Sequence, residues 1–358
     1  MCKERYVFLF DKQTNVKISY FYLNMKSVTK FEISKEQIKS IFIAAEIGEI
    51  VDIQEISDGW YNSVFSVTAK STQKYVLKVA PAKNVKILSH EHRMMESELI
   101  FYKLISEKTK VQTAKIIYED FSEKIIPTAY FIMEFLQGER LDKAKLAKEE
   151  GRKANENWAF ILSEFHKIKG EGFGYVQSGL HRTWKDALTK MTQMLIDDSA
   201  SFGKKCKIGE KLLAYIGKFS AELDNVPCSF VNFDLHSKNL FCTKEANGDI
   251  KLAVLDLERC FFGDPIGDFI MPEMLTPFEK KNFLSTYNRF AEMSVSANKN
   301  QKIRYYLICA YLAAIMYTER FSRFISPQKY FSGIYWEGTL GCKLLARNAF
   351  ANLKKLSK

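Results

Sequence analysis

Proline and glycine are scarce, at 7 and 17 in 358 residues. So few chain breakers exclude a collagen-like or turn-dominated polypeptide and predict long uninterrupted elements. No apolar run reaches the ~18 residues of a membrane-spanning helix. The longest, Tyr305 to Tyr317, is thirteen residues between Arg304 and Thr318-Glu319-Arg320, and it reads as a buried helix. Cys-x-x-Cys pairs and Cys/His zinc spacings are missing. The seven cysteines, at 2, 206, 228, 242, 260, 309 and 342, are odd in number and sit in apolar or mixed segments, which fits reduced thiols in a cytoplasmic chain rather than a disulfide framework. Repeats and low-complexity tracts are also missing, and Met1 to Phe10 shows no small-residue cleavage site of a secretory signal.

What is present is ordinary globular material. Apolar residues make up 47% and charged residues 27%, and 28 Phe with 17 Tyr supply a large core. The length exceeds one minimal core, so two lobes are expected. Fifty-three Lys+Arg against 42 Asp+Glu give +11. Those lysines are scattered, with no RNA-binding signature, so the charge reads as a lysine-rich composition rather than a nucleic-acid surface.

The apolar period divides the chain. Residues 1–24 are Lys- and Tyr-rich and match nothing downstream; Met25 reads as an alternative start, and 1–32 as an N-terminal extension. An amphipathic stretch from Ser34 to Ala45 follows, with Ser34 placed to cap it. Strand signals occur at Asp52–Ser57, Val64–Ala69, Tyr75–Ala80, Ala114–Glu119 and Ala129–Leu136, with a turn at Asp58-Gly59 and a helix from His90 to Ile105. From Asn155 the period becomes helical, with Trp158, Ile161, Leu162 and Phe165 on one face. Helical patterns recur at 184–197, 208–223, 278–294, 301–323 and 339–356. Short strands interrupt them at Ser229–Asn232, Leu240–Thr243 and Lys251–Leu255. The expected fold is α+β and bilobal: an N-lobe over 33–135 with an antiparallel β-sheet and one key helix, and a mostly α-helical C-lobe over 136–358.

Three segments carry chemistry. Asn232-Phe233-Asp234-Leu235-His236-Ser237-Lys238-Asn239 puts an Asp and an Asn five residues apart on a loop between apolar strands. Phosphoryl transfer needs a carboxylate to orient and deprotonate an attacking hydroxyl, and an amide oxygen near the metal that neutralises the phosphates. Lys251 to Leu255 delivers Asp256 to a strand end, 22 residues after Asp234, where a carboxylate suits Mg²⁺. Lys78 stands alone among apolar residues in Tyr75-Val76-Leu77-Lys78-Val79-Ala80, a costly placement unless it meets an anion, and Glu98 on the next helix is its natural partner. Gly59 and Asn62 belong to a turn that could fold over phosphates. The backbone of Glu134 and Leu136, at the junction of the lobes, could pair with an adenine edge.

This order of residues resembles the aminoglycoside phosphotransferase family, the small-molecule kinases of the protein-kinase-like fold. Leu162-Ser163-Glu164-Phe165-His166, Gly172-Phe173-Gly174, Trp184 and Gly263-Asp264-Pro265 with Asp268 extend the match over roughly 35–323. The resemblance implies Asp234 as catalytic base, Asn239 and Asp256 as Mg²⁺ ligands, and Lys78 held by Glu98 on the phosphates of ATP (or GTP). It makes Asp264 and Asp268 shapers of the catalytic loop or acceptor cleft, and Glu258 an acceptor or supporting residue. The acidic set Glu258, Asp264, Asp268 and Glu273 is a candidate acceptor wall. One departure is Asn232 where the family usually carries His two residues before the catalytic Asp; His236 fits the family pattern. The partner implied is a small-molecule hydroxyl acceptor, foremost an aminoglycoside-like antibiotic, with choline, fructosamine, homoserine, sugar and macrolide types as alternatives; no membrane or nucleic-acid partner is expected, and the oligomeric state is left open. A protein kinase is disfavoured by His236, where a Lys would stand, and by Met271-Pro272-Glu273 following Asp256 too soon. A non-catalytic binder is disfavoured by the presence of Lys78, Asp234, Asn239 and Asp256 together.

Overall fold

The computed structural model describes residues 8–10, 17–19, 27–56, 59–274, 276–323 and 333–358. Met25, most of the 1–24 segment, Cys2, the Ser57-Asp58 half of the turn and the Trp336 side chain lie outside the described residues. Near the N-terminus β1 (Phe8–Phe10) pairs antiparallel with β2 (Lys17–Ser19).

Ser34 caps α1 (Lys35–Ala44) through a reciprocal box. Its hydroxyl accepts the Gln37 amide at 3.1 Å, and the Gln37 side chain accepts the Ser34 amide at 2.9 Å. Ile38, Ile41 and Phe42 bury the inner face of this helix against the first sheet. That sheet contains β3 (Ile50–Glu55), β4 (Ser63–Ala69) and β5 (Lys74–Val79). Beyond a two-residue β6 (Gln112–Thr113), the sheet takes in β7 (Ile116–Asp120) and β8 (Tyr130–Glu134), in the order β3-β4-β5-β8-β7, antiparallel throughout. Strict alternation in β4, with Ser63, Phe65, Val67 and Ala69 buried, follows from its period-two pattern. The key helix, α2 (Met94–Lys108), starts later than the pattern from His90 predicts. Ser89–Glu91 forms only a tight turn, and Arg93, left-handed at φ 56°, separates it from the helix.

The second half holds α3 (Lys148–Lys167), α4 (Trp184–Ser201), α5 (Lys207–Lys218), α6 (Asn282–Tyr287), α7 (Lys299–Arg323) and α8 (Gly333–Leu356). Its strands are β9 (Glu139–Arg140), β10 (Ser229–Val231), β11 (Leu240–Lys244), β12 (Ile250–Val254) and β13 (Phe261–Gly263). The helix predicted over 278–294 is reduced to one tight turn and α6. Asn288 ends it: its side chain accepts the Val295 amide and donates to the Val295 carbonyl, an alternative to continued helix. The thirteen-residue apolar run is the buried middle of α7, packed on α8, α5 and α4. No described helix is long and apolar enough to cross a membrane.

Two features tie the lobes together. The chain crosses through 135–141, where Gly138 adopts φ +121°, a conformation that disfavours any side chain. A Cβ there would lie 2.6 Å from the Cys242 carbonyl oxygen. Gly138→Ala is therefore expected to cost about 1–3 kcal/mol, read as a lower denaturant midpoint; an unchanged midpoint would contradict this account of the crossing. Separately, β6 pairs parallel with β12 (Ala253↔Gln112, Val254↔Thr113). The core is continuous across the join, with Phe101 of α2 stacked on Phe230 of β10 at 4.9 Å.

Candidate active site

The crevice between the lobes gathers side chains from distant parts of the chain. Lys78, on β5, is buried, and its ammonium lies 2.8 Å from Glu98 of α2, 2.9 Å from Asp256 and 3.3 Å from Glu258. Burial works to lower the Lys78 pKa, but these three carboxylates together hold it well above its usual value, so it stays charged. Burial likewise tends to raise Asp256, yet Lys78 outweighs it and keeps Asp256 below the ordinary carboxylate range. Glu98, with no exposed side chain, is pushed up by the same burial.

Asp234 and Asn239 sit on the loop between β10 and β11. That loop is clamped by backbone capture. Phe233 is left-handed at φ 67°, and its amide donates to Asp268 Oδ1 at 2.7 Å, while the Asn232 amide donates to Asp268 Oδ2 at 3.1 Å. Asn232 accepts the Asp234 amide at 3.1 Å, so the residue that departs from the family pattern still braces the loop. Asn239 Nδ2 donates to the Asp234 carbonyl at 3.0 Å and leaves its amide oxygen for a ligand. His236 accepts the Lys238 amide at 3.1 Å and stands 3.7 Å from Asp234; burial and Lys238 lower its pKa. Asp256 is also left-handed, at φ 62°, and its amide meets the Tyr102 hydroxyl of α2 at 3.3 Å. Such strained positions recur where side chains are aimed for function.

Arg259, which the sequence reading did not single out, lies 3.3 Å from Asp234 and 2.7 Å from Glu319 of α7. Burial, reinforced by Asp256 and Glu258, pushes the Asp234 carboxyl up to about 7 even though Arg259 pulls it down. Four carboxylates crowd the crevice floor, and asking which cation besides Lys78 balances them would have pointed to the arginine three residues after Asp256.

Other predicted residues are placed as follows. Asn62 donates to Glu258 at 2.9 Å, which draws the loop after β3 down onto the crevice. Gly59 lies on the same loop. The Glu134 amide is spent on the Lys115 carbonyl, so a base contact there falls to its carbonyl and to Leu136. Asp264 is fully buried, caps the turn at 265–269 and pairs with Arg304 of α7 at 2.6 Å. Asp268 is buried beneath the loop that carries Asp234 and also faces His166 at 3.1 Å. Glu273 does not join the crevice, since its carboxylate accepts the Phe283 amide near the start of α6. The acidic set thus divides: Glu258 faces the crevice, Asp264 and Asp268 support it from inside, and Glu273 caps a distant helix.

The donors suit a divalent cation. Carboxylate oxygens of Glu98, Asp256 and Glu258 lie within 4.8 Å of one another around the Lys78 ammonium, hard-oxygen donors of the kind Mg²⁺ takes beside phosphate oxygens.

A family model described as the phosphotransferase enzyme family matches residues 52–288, which is 237 of the 358. No curated protein matches this chain. Among solved structures, a Ralstonia eutropha protein assigned to the aminoglycoside phosphotransferases superposes with a TM-score of 0.58 at 17% identity, covering 90% of this chain and 99% of its own. The GDP and kanamycin complex of APH(2")-IIIa gives 0.59 at 11%, covering 88% and 99%. A thermostable mutant of APH(4)-Ia, whose ternary complex holds AMP-PNP and hygromycin B, gives 0.54 at 16%, covering 87% and 98%. These likenesses establish the protein-kinase-like fold. The chain belongs to the phosphotransferase enzyme family, and it is a phosphotransferase of the small-molecule type with a hydroxyl acceptor.

Proposed function

We propose that this chain transfers the γ-phosphoryl group of ATP or GTP, with Mg²⁺, to a hydroxyl of an aminoglycoside-like compound. The observation that carries the reading is the meeting of Lys78, Glu98 and Asp256 within 3 Å beside a loop that presents Asp234 and Asn239. In this reading Lys78, held by Glu98, orients the α- and β-phosphates. The glycine-containing loop at Gly59–Asn62 covers them. The Glu134 and Leu136 backbone takes the base. Asn239 and Asp256 hold the metal, which when bound neutralises charge on the β- and γ-phosphates. Asp234 accepts the proton of the attacking hydroxyl, and Arg259 steadies that carboxylate until the acceptor displaces it. His236 and Asn232 support the loop. Neighbours that carry GDP with kanamycin, or AMP-PNP with hygromycin B, support the choice of nucleotide and acceptor. A cytoplasmic setting agrees with nucleotide supply and with six free cysteines among the described residues.

One observation favours a second acceptor class. With Asp264, Asp268 and Glu273 engaged elsewhere, the acceptor side offers few carboxylates to a polycation. This favours a less charged metabolite of choline, fructosamine, homoserine or sugar type. A panel of both classes with an ADP- or GDP-release assay decides between them. Release driven by an aminoglycoside, together with raised aminoglycoside tolerance in cells expressing the chain, is the expected result. Release driven only by a metabolite would replace the antibiotic assignment while retaining the phosphotransfer.

A further inference from the structure

The segment before α1 is built into the crevice. Thr29, fully buried, donates its hydroxyl to the Trp60 and Tyr61 carbonyls at 2.8 and 3.0 Å. The Ser63 hydroxyl donates to the Phe31 carbonyl at 2.8 Å, and the Val28 amide reaches the Arg323 carbonyl at the end of α7 at 3.4 Å. Between these ties Lys30 turns inward. Its ammonium donates to the Asn62 carbonyl and lies 3.7 Å from where a Cβ on Gly59 would stand, inside the curl of the loop that covers the crevice.

The two crevice lysines differ in what meets them. Lys78 has three carboxylates within ion-pair reach, whereas among the described residues Lys30 has none. Glu55, Glu258 and Asp256 act on it only from a distance, and burial lowers its pKa. A half-buried ammonium satisfied by one neutral carbonyl is an anion site awaiting its charge, because a phosphate oxygen makes a stronger, charge-assisted bond than a carbonyl does. The loop itself has a single glycine, Gly59, followed directly by Trp60 and Tyr61. Bulky neighbours limit how closely its amides can approach a phosphate, and a cation inside the curl supplies what those amides cannot.

We propose that Lys30 is a second phosphate-binding lysine, delivered from the N-terminal segment, which leaves the Asn62 carbonyl to grip the β- and γ-phosphates of the bound nucleotide. This rests on the phosphotransferase reading given above.

The test measures binding of ATP, GTP, ADP and the free nucleosides, with Mg²⁺, to the full chain by calorimetry. Lys30→Gln is expected to weaken the triphosphates by about ten- to a hundredfold, to leave adenosine or guanosine binding unchanged, and to be largely rescued by Lys30→Arg. Wild-type affinity in Lys30→Gln overturns the proposal. Equal losses for nucleoside and triphosphate also overturn it, because they mean Lys30 only props the loop. Should the wild-type chain bind no nucleotide, the phosphotransferase reading falls and takes this one with it. Amine acylation read by mass spectrometry gives an answer without any variant: saturating ATP or GTP with Mg²⁺ should slow labelling of Lys30 and spare exposed Lys70, and unaltered labelling of Lys30 would overturn the proposal.

Discussion

Asp234→Asn is expected to lower turnover by about 10²–10⁴-fold while nucleotide binding and fold persist, because the substitution keeps the loop's shape and removes only the proton acceptor. Undiminished turnover would end the assignment of Asp234 as base. The pH dependence has a definite sign. Burial lifts the Asp234 carboxyl to about 7, with Asp256 and Glu258 adding and Arg259 opposing, so kcat/KM should rise with pH through about 7. Arg259→Ala removes the opposing charge, and the rising limb should move to higher pH. Stability carries the same signature. A carboxyl raised on folding contributes stability that is fully present below its usual value of 3.8 and is lost as pH rises through about 7. Asp234→Asn should therefore flatten the decline in stability across that window.

Lys78→Met should abolish phosphoryl transfer and also cost about 3–5 kcal/mol of stability, since removing one member of a buried pair strands the other. Glu98 has no exposed side chain, and burial already raises its pKa against the pull of Lys78. Without the ammonium it rises further. Stability present while Glu98 is protonated is then lost as pH climbs, so the deficit of the variant should shrink toward pH 5 and grow toward pH 8. A second change, Glu98→Leu, should restore much of the stability with no return of activity. Denaturant midpoints across pH, set beside ADP release, check both halves; recovery of activity in the double variant would refute the role of the pair.

Much of this site could be read in the chain because its local patterns are strong. An apolar strand carrying one lysine, an Asp and Asn five apart, and an apolar strand ending in Asp each announce themselves without tertiary context. So does Ser34 as a cap. Partner choice over long distance could not be read that way. Asp264 looked available for an acceptor, but Arg304, forty residues on, claims it. Asp268 could be placed in the sequence on either the loop or the acceptor wall, and two loop amides claim it. Arg259 is one charge among 53 cations until the fold sets it beside Asp234. Lys30 sat in a stretch read as an N-terminal extension, and nothing local marks a lysine whose counterpart is the curl of a loop thirty residues away. The late start of α2 turns on a left-handed arginine, and side-chain propensity carries no warning of it.

The parallel rungs between Gln112–Thr113 and Ala253–Val254 have a mechanical consequence. A clamshell joined only by its crossing strand could swivel freely. Here a second attachment lies away from the 135–141 crossing, beside the stacking of Phe101 on Phe230 and the pairing of Lys78 with Asp256 across the same seam. The second attachment ends at Val254, two residues before Asp256. A swivel of one lobe against the other would have to break those rungs at the strand that aims this carboxylate, so the pairing resists twist where the crevice is most crowded.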